Sequence, residues 1–162
     1  MELLQAIAEA GVRAPSARNM RPWHLVVITT KATMDEISSC GKEQFRLTDE
    51  AAYDRVMQRG GTLLYNAPAM IIVAASPDDP FDYAKTDTGI VVSHLALAAT
   101  SLGLDTCVVG MPRAAFQDGA VGDLKAKYLP EGYTFAIAVL LGYAETPGGT
   151  PHEPALSQIT YV

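Results

Sequence analysis

The chain has 162 residues, the size of one ordinary domain, with 12 Lys and Arg against 18 Asp and Glu and a formal charge of −6. Hydrophobic residues make up 49% and charged ones 19%, which excludes a disordered chain and argues against a nucleic-acid binder with its basic surface. The charged fraction lies below the roughly 25% of soluble domains, and mean hydropathy is +0.12. Such an apolar excess is buried in a second subunit or against a bulky apolar cofactor, and composition does not choose between them. Cys40 and Cys107 form no CxxC, so neither a zinc knuckle nor a thioredoxin motif is present, and a reduced pair is expected. Met1 to Gln5 lacks the basic start and apolar run of a signal peptide. Thr88 to Leu104, the longest weakly charged stretch, is too short and too polar to span a membrane. A soluble cytoplasmic protein is expected.

Leu3, Leu4, Ile7, Ala8 and Gly11 predict an opening helix packed on one face. Ala14 to Pro22 reads as loop, because Pro15 and Pro22 each remove a backbone donor and restrict the residue before them. His24 to Thr29 is a β-branched and apolar run, hence a buried strand. Thr33-Met34-Asp35-Glu36 has the pattern of a capping box opening the next helix. Residues 48–64 predict another helix, broken at Gly60-Gly61, and Ala69 to Ala75 a second buried strand. Pro77, Asp78, Asp79 and Pro80 end it. Thr88 to Leu102 predicts a helix apolar around nearly its whole circumference, hence one buried on all sides, with a subunit interface as its outer wall. Gly103 suits its C-terminal cap. Thr106 to Gly110 predicts a third strand with Cys107 packed inside it, Phe116 to Tyr128 a helix, and Thr134 to Leu141 a fourth strand. Glu145 to Pro154 is loop, and Ala155 to Val162 a last strand. Alternating helices and strands suggest by themselves a parallel α/β sheet. No Gly-rich dinucleotide or P-loop fingerprint accompanies them.

The densest chemistry lies between Arg13 and Trp23. Arg13, Arg18 and Arg21 place three of the 12 basic residues within nine positions, where even scatter would place fewer than one. Ser16 and Asn19 add short polar groups able to bond the edge of a planar ligand. A loop between a helix and a buried strand is where binding residues are commonly positioned.

Ala14-Pro15-Ser16-Ala17-Arg18-Asn19-Met20-Arg21-Pro22-Trp23 resembles the A-P-S-x-x-N-x-Q-P-W signature of the nitroreductase family of FMN flavoproteins. Three further blocks resemble that family in the same order. They are Asn66-Ala67-Pro68-Ala69 before a strand, Asp87 with the apolar helix to Gly103-Leu104-Asp105-Thr106-Cys107, and Leu129-Pro130-Glu131-Gly132-Tyr133 with the strand to Gly142-Tyr143. The resemblance implies an α+β fold in one domain, with a mainly antiparallel sheet flanked by helices. It also implies a homodimer with FMN at the subunit interface. NADH or NADPH would donate hydride, and a nitroaromatic, quinone or related small acceptor would take the electrons. Pro15, Ser16, Ala17 and Asn19 would line the flavin, and Gly110 would bring backbone near its ring. The tail from residue 146 would extend from the domain, toward the partner subunit.

Four departures from the family pattern stand out. The R-x-S-x-R segment that grips the FMN phosphate does not precede the first helix, and the usual Gln is Arg21. The second Gly of G-L-G is Asp105. The C-terminal basic residues have His152 as their nearest counterpart. Arg13 or Arg18, together with Arg21, is therefore expected to substitute at the phosphate. A second reading is a nitroreductase-fold module that binds flavin or another ligand without catalysis. Elsewhere, His94 is expected to be a hydrogen-bonded core histidine, and Asp78, Asp79 and Asp82 a solvated turn rather than a metal loop. Tyr65 and Tyr83 are candidates to border a substrate.

Overall fold

The computed structural model describes residues 1–146 and 155–162. Four strands form one sheet: β1 (Trp23–Ile28), β2 (Ala69–Ala75), β3 (Asp105–Val109) and β4 (Thr134–Gly142). Their order is β1-β2-β4-β3, and every neighbouring pair is antiparallel. The antiparallel expectation holds and the parallel one falls, for a physical reason. An unbroken apolar run reports burial on both faces, and the central strands β2 and β4 are covered on both faces whatever their direction. β1, expected to be buried, is an edge strand with His24 and Val27 exposed. Met70, Ile72, Ala74, Ala138 and Leu140 join a core beneath α2 (Lys31–Thr48) and α3 (Glu50–Gln58). Ile71, Val73, Val139 and Leu141 point the other way, toward α1 (Glu2–Val12) and α4 (Ala84–Ser101).

On the second face α1 packs against α4. Ile7, Val91, Leu95 and Ala99 are fully buried there. Gly11 permits the approach: a Cβ on it would lie 2.6 Å from Leu95 Cδ2 and 3.2 Å from Leu25 Cδ1. The outer side of α4 is open within the chain, with Leu97 72% exposed, so the all-round apolar helix is covered on one side only. β3 is an edge strand, and its Cys107 is exposed rather than packed inside. Both cysteines are free thiols.

Several predicted boundaries shift. The capping box does not form: α2 begins at Lys31, and the Glu36 carboxylate instead accepts from Lys127 Nζ at 2.6 Å and Tyr128 Oη at 2.6 Å. These bonds fasten α2 to α5 (Leu124–Tyr128), the one α-helical turn in the region predicted as a helix over 116–128. The rest of that region is 3-10 turn, because Gly119 and Gly122 hold positive φ and break any longer helix. α3 ends at Gln58, before Gly60 and Gly61, which also hold positive φ. α4 starts four residues earlier than its apolar run, where Asp79 accepts from the Tyr83 and Ala84 amides at 3.1 and 2.8 Å. Those amides, Ala84 first, hold the Asp79 carboxyl below its usual range. The acidic turn is thus a helix cap. No group of three or more candidate metal ligands occurs among the described residues, and no helix among them is long and apolar enough to cross a membrane. Residues 155–162 carry an exposed 3-10 turn at Leu156–Gln158, not a strand. His152 and the loop around it lie outside the described residues.

Two outcomes follow from this packing. Gly11→Ala should destabilise the chain by about 1–3 kcal/mol, read as a lower denaturant midpoint, since Leu95 has no open space to move into. The hydrogen bond from Lys127, then that from Tyr128, holds the Glu36 carboxyl below its usual range. Its stabilisation is present at neutral pH and is lost as pH falls through the carboxylate range, below about pH 4. Glu36→Gln should therefore melt lower than the parent at pH 7, with the gap closing in melts at acid pH.

Candidate functional site

The strand register brings the start of β1, the end of β2, the start of β4 and the end of β3 to one end of the sheet. The Arg13–Trp23 segment enters β1 there, and Gly110 follows β3 at the same end. The two lie on opposite edges, three strand spacings or about 14 Å apart. The amino-terminal half of α4 spans the gap. One chain thus gathers Pro15, Ser16, Ala17, Arg18, Asn19 and Arg21 in a single loop, with Arg13 at its start and Gly110 across the sheet end.

The loop is tightly wound. Ala17–Asn19 form a 3-10 turn, and Arg18, Asn19 and Arg21 hold φ of 50°, 57° and 50°. Left-handed backbone is unfavourable for residues with a Cβ and persists only where surroundings enforce it. Inside the loop, Ser16 Oγ accepts from the Arg21 amide at 2.8 Å, and Arg21 Nε donates to Asn19 Oδ1 at 3.1 Å. Two bonds fasten it to the frame. The Ser76 amide donates to Pro22 O at 3.0 Å. The Ala17 amide donates to both carboxylate oxygens of Asp87, at 3.1 and 3.2 Å. Asp87 sits in the first turns of α4 and is 3% exposed. Arg18 lays its guanidinium over the Phe81 ring, 4.1 Å from the centroid, a cation–π contact.

Next to Asp87, Thr88 lines a cleft of about 540 Å³ with Lys85, Gly89, Val92, Val108 and Ile137. Its floor includes a β-bulge in β4, where the register slips between Ile137 and Phe135. Bulges are common beside functional sites. A Cβ on Gly110 would meet only Ile137 Cδ1, at an ordinary 3.7 Å, and its φ of −102° suits any residue. Neither packing nor backbone within the chain calls for glycine there. Gly89 likewise has open space where its Cβ would stand, although glycine weakens a helix interior. Both glycines leave room on the cleft side.

Arg13, Arg18, Arg21 and Lys85 make no ion pair among the described residues. An acidic chain therefore presents cations and the amide of Asn19 at one end, beside an apolar-walled cleft. That donor set fits a ligand with an anionic group and a flat, partly apolar body. Tyr83 is exposed at this end, next to the start of α4, whereas Tyr65 precedes β2 and so belongs to the far end. His94 Nδ1 lies 3.0 Å from Ile90 O and is half-buried, as a packed histidine should be. Sequence reasoning missed Phe81, Lys85 and the fastening role of Asp87. A buried acid on a predicted apolar helix was the available signal for the last.

The family model described as the nitroreductase family matches residues 1–143. A provisionally named NADH dehydrogenase/NAD(P)H nitroreductase of Archaeoglobus fulgidus is 28% identical over 145 residues, 88% of this chain and 72% of the relative. Among solved structures, a nitroreductase of Desulfitobacterium hafniense with bound FMN is 42% identical. It superposes with a TM-score of 0.88, over 99% of this chain and 86% of that one. A nitroreductase of Bacteroides fragilis with bound FMN is 27% identical, with a TM-score of 0.85 over 99% and 87% of the two chains.

Proposed function

The chain belongs to the nitroreductase family of oxidoreductases, and from that premise we propose that it is an FMN-dependent NAD(P)H oxidoreductase acting as a homodimer. The observation that carries the reading is the loop Pro15–Arg21, fastened by Asp87, whose neighbours Lys85 and Thr88 line the cleft, in a chain 42% identical to a protein solved with FMN. The relatives' names, which describe reductases, favour an enzyme over a module that only binds. The chemistry FMN supplies when bound is hydride acceptance from NADH or NADPH, then electron transfer to a nitroaromatic, quinone or related small acceptor, in a ping-pong cycle.

The residues of the chain bind and orient. Arg13, Arg18 and Arg21 would hold the phosphate through charge-assisted hydrogen bonds. Ser16 and Asn19 offer a hydroxyl and an amide to the edge of the ring system, and Pro15 and Ala17 give it a narrow, fixed border. Gly110 leaves the backbone at the end of β3 open to close approach. No side chain is needed as nucleophile, so none is assigned as catalytic. The open outer side of α4, with Leu97, and the exposed edge of β3 offer the second copy an apolar face. Leu156, Ile159 and Tyr161, exposed on the single chain, would seat against that copy as the end of one domain spanning residues 1–162. Two free thiols suit a reducing, cytoplasmic setting.

Purified protein at twice the chain mass should absorb in the flavin bands, bleach with NADH or NADPH, and recover on adding a quinone or nitroaromatic. Flavin that binds but never bleaches would support the binding module, and protein that takes up no FMN would overturn both. Arg18→Ala and Arg21→Ala should each loosen FMN about 10- to 100-fold, the weight of one charge-assisted hydrogen bond of about 1.5–3 kcal/mol, measured by fluorescence titration. Unchanged affinity in both would remove them from the phosphate.

A further inference from the structure

We propose that Asp87 is a positioning residue. Its buried carboxylate sets the conformation in which the loop Ala17–Arg21 presents its cations, and so governs how strongly the site prefers a phosphorylated flavin to one without phosphate. The inference rests on the function proposed above.

Asp87 is 70 residues from Ala17 in sequence, is 3% exposed, and directs both carboxylate oxygens at a single backbone N–H. Keeping a charged group out of water for one shared donor is a poor route to stability. An apolar residue of similar size would commonly do as well or better. The amino-terminal end of α4 offsets part of the cost, since the positive end of the helix dipole favours a nearby carboxylate. What the arrangement adds is geometry. The Ala17 amide starts the 3-10 turn, and the residues directly after it, Arg18 and Asn19, are both left-handed. Arg21 follows in the same region and donates its amide to Ser16 Oγ.

Without the anchor, the contacts of the turn are those within the loop and the exposed stacking of Arg18 on Phe81. The Ser76–Pro22 bond holds only its far end. Such contacts leave the backbone free to relax to ordinary φ, which would turn the guanidiniums of Arg18 and Arg21 away from one another's target. Asp87 therefore acts on the ligand through the loop and does not touch it. Its neighbour Thr88 lines the cleft, so one turn of α4 fixes the spacing between the loop and the cleft.

Riboflavin, which lacks the phosphate, separates positioning from general stability. Asp87→Ala should weaken FMN by about tenfold or more, the loss of one charge-assisted contact. Riboflavin, which meets Ala17 and Asn19 but offers the cations no phosphate, should weaken by a clearly smaller factor, so the ratio falls. Asp87→Asn, whose side-chain oxygen still accepts from Ala17, should keep the ratio near that of the parent. Amide hydrogen exchange on the flavin-free protein should show protection lost at Ala17 in Asp87→Ala but kept at Val91 and Leu95. Asp87→Ser, too short to reach the loop, replaces the alanine variant if that does not fold. The proposal is overturned if FMN and riboflavin weaken by the same factor, if the ratio is unchanged, or if Asn behaves as Ala does. Parent protein that binds neither flavin would overturn the proposed function, and this inference with it. Parent protein that binds FMN with no response at Asp87 overturns the inference alone.

Discussion

Everything in this chain hangs on two central strands, β2 and β4, that are apolar on both sides. Ile71 and Val73 need one cover and Met70, Ile72 and Ala74 another, so helices must lie on both faces. That constraint places α2 and α3 on one side and α1 and α4 on the other, and it leaves β1 and β3 at the edges. The cations of the Arg13–Trp23 loop occupy one end of the sheet, and the open face of α4 and the β3 edge occupy the flank.

The polar parts of the molecule follow the same economy of position. Carboxylates act as fasteners where helix ends need them: Asp79 at the start of α4, Glu36 between α2 and α5, Asp87 between α4 and the loop. The cations at the sheet end are different, since Arg13, Arg21 and Lys85 make no ion pair among the described residues and Arg18 rests on an aromatic ring.

Much of this is legible in the sequence, and the gaps have causes. The four strands lie close to where their apolar runs place them, although only β2 and β4 are covered on both faces and the edge strands β1 and β3 are partly exposed. Strand direction was not legible from those runs, since two-sided burial looks alike in parallel and antiparallel sheets, and only the family resemblance pointed to the right one. Helix boundaries failed where side chains had better partners elsewhere. Glu36 fits a capping box locally, but Lys127 and Tyr128, some 90 residues away in sequence, take it. The region 116–128 has helical periodicity, but Gly119 and Gly122 override it. At the candidate site, the loop residues were legible because prolines, arginines and short polar groups crowd together. Phe81 and the role of Asp87 were not, because each acts by a contact across the fold that no local pattern encodes.

Gly110 carries a consequence of another kind. Within the chain a methyl group at that position meets nothing closer than ordinary contact and needs no unusual backbone. The fold is therefore indifferent to an alanine there, and any intolerance of that methyl group must come from outside the polypeptide. Most residues of a small domain answer to folding and binding at once. Gly110 answers to one master only, which makes it a reporter: its tolerance to replacement measures how closely another molecule comes to the end of β3, undisturbed by the stability of the frame that presents it.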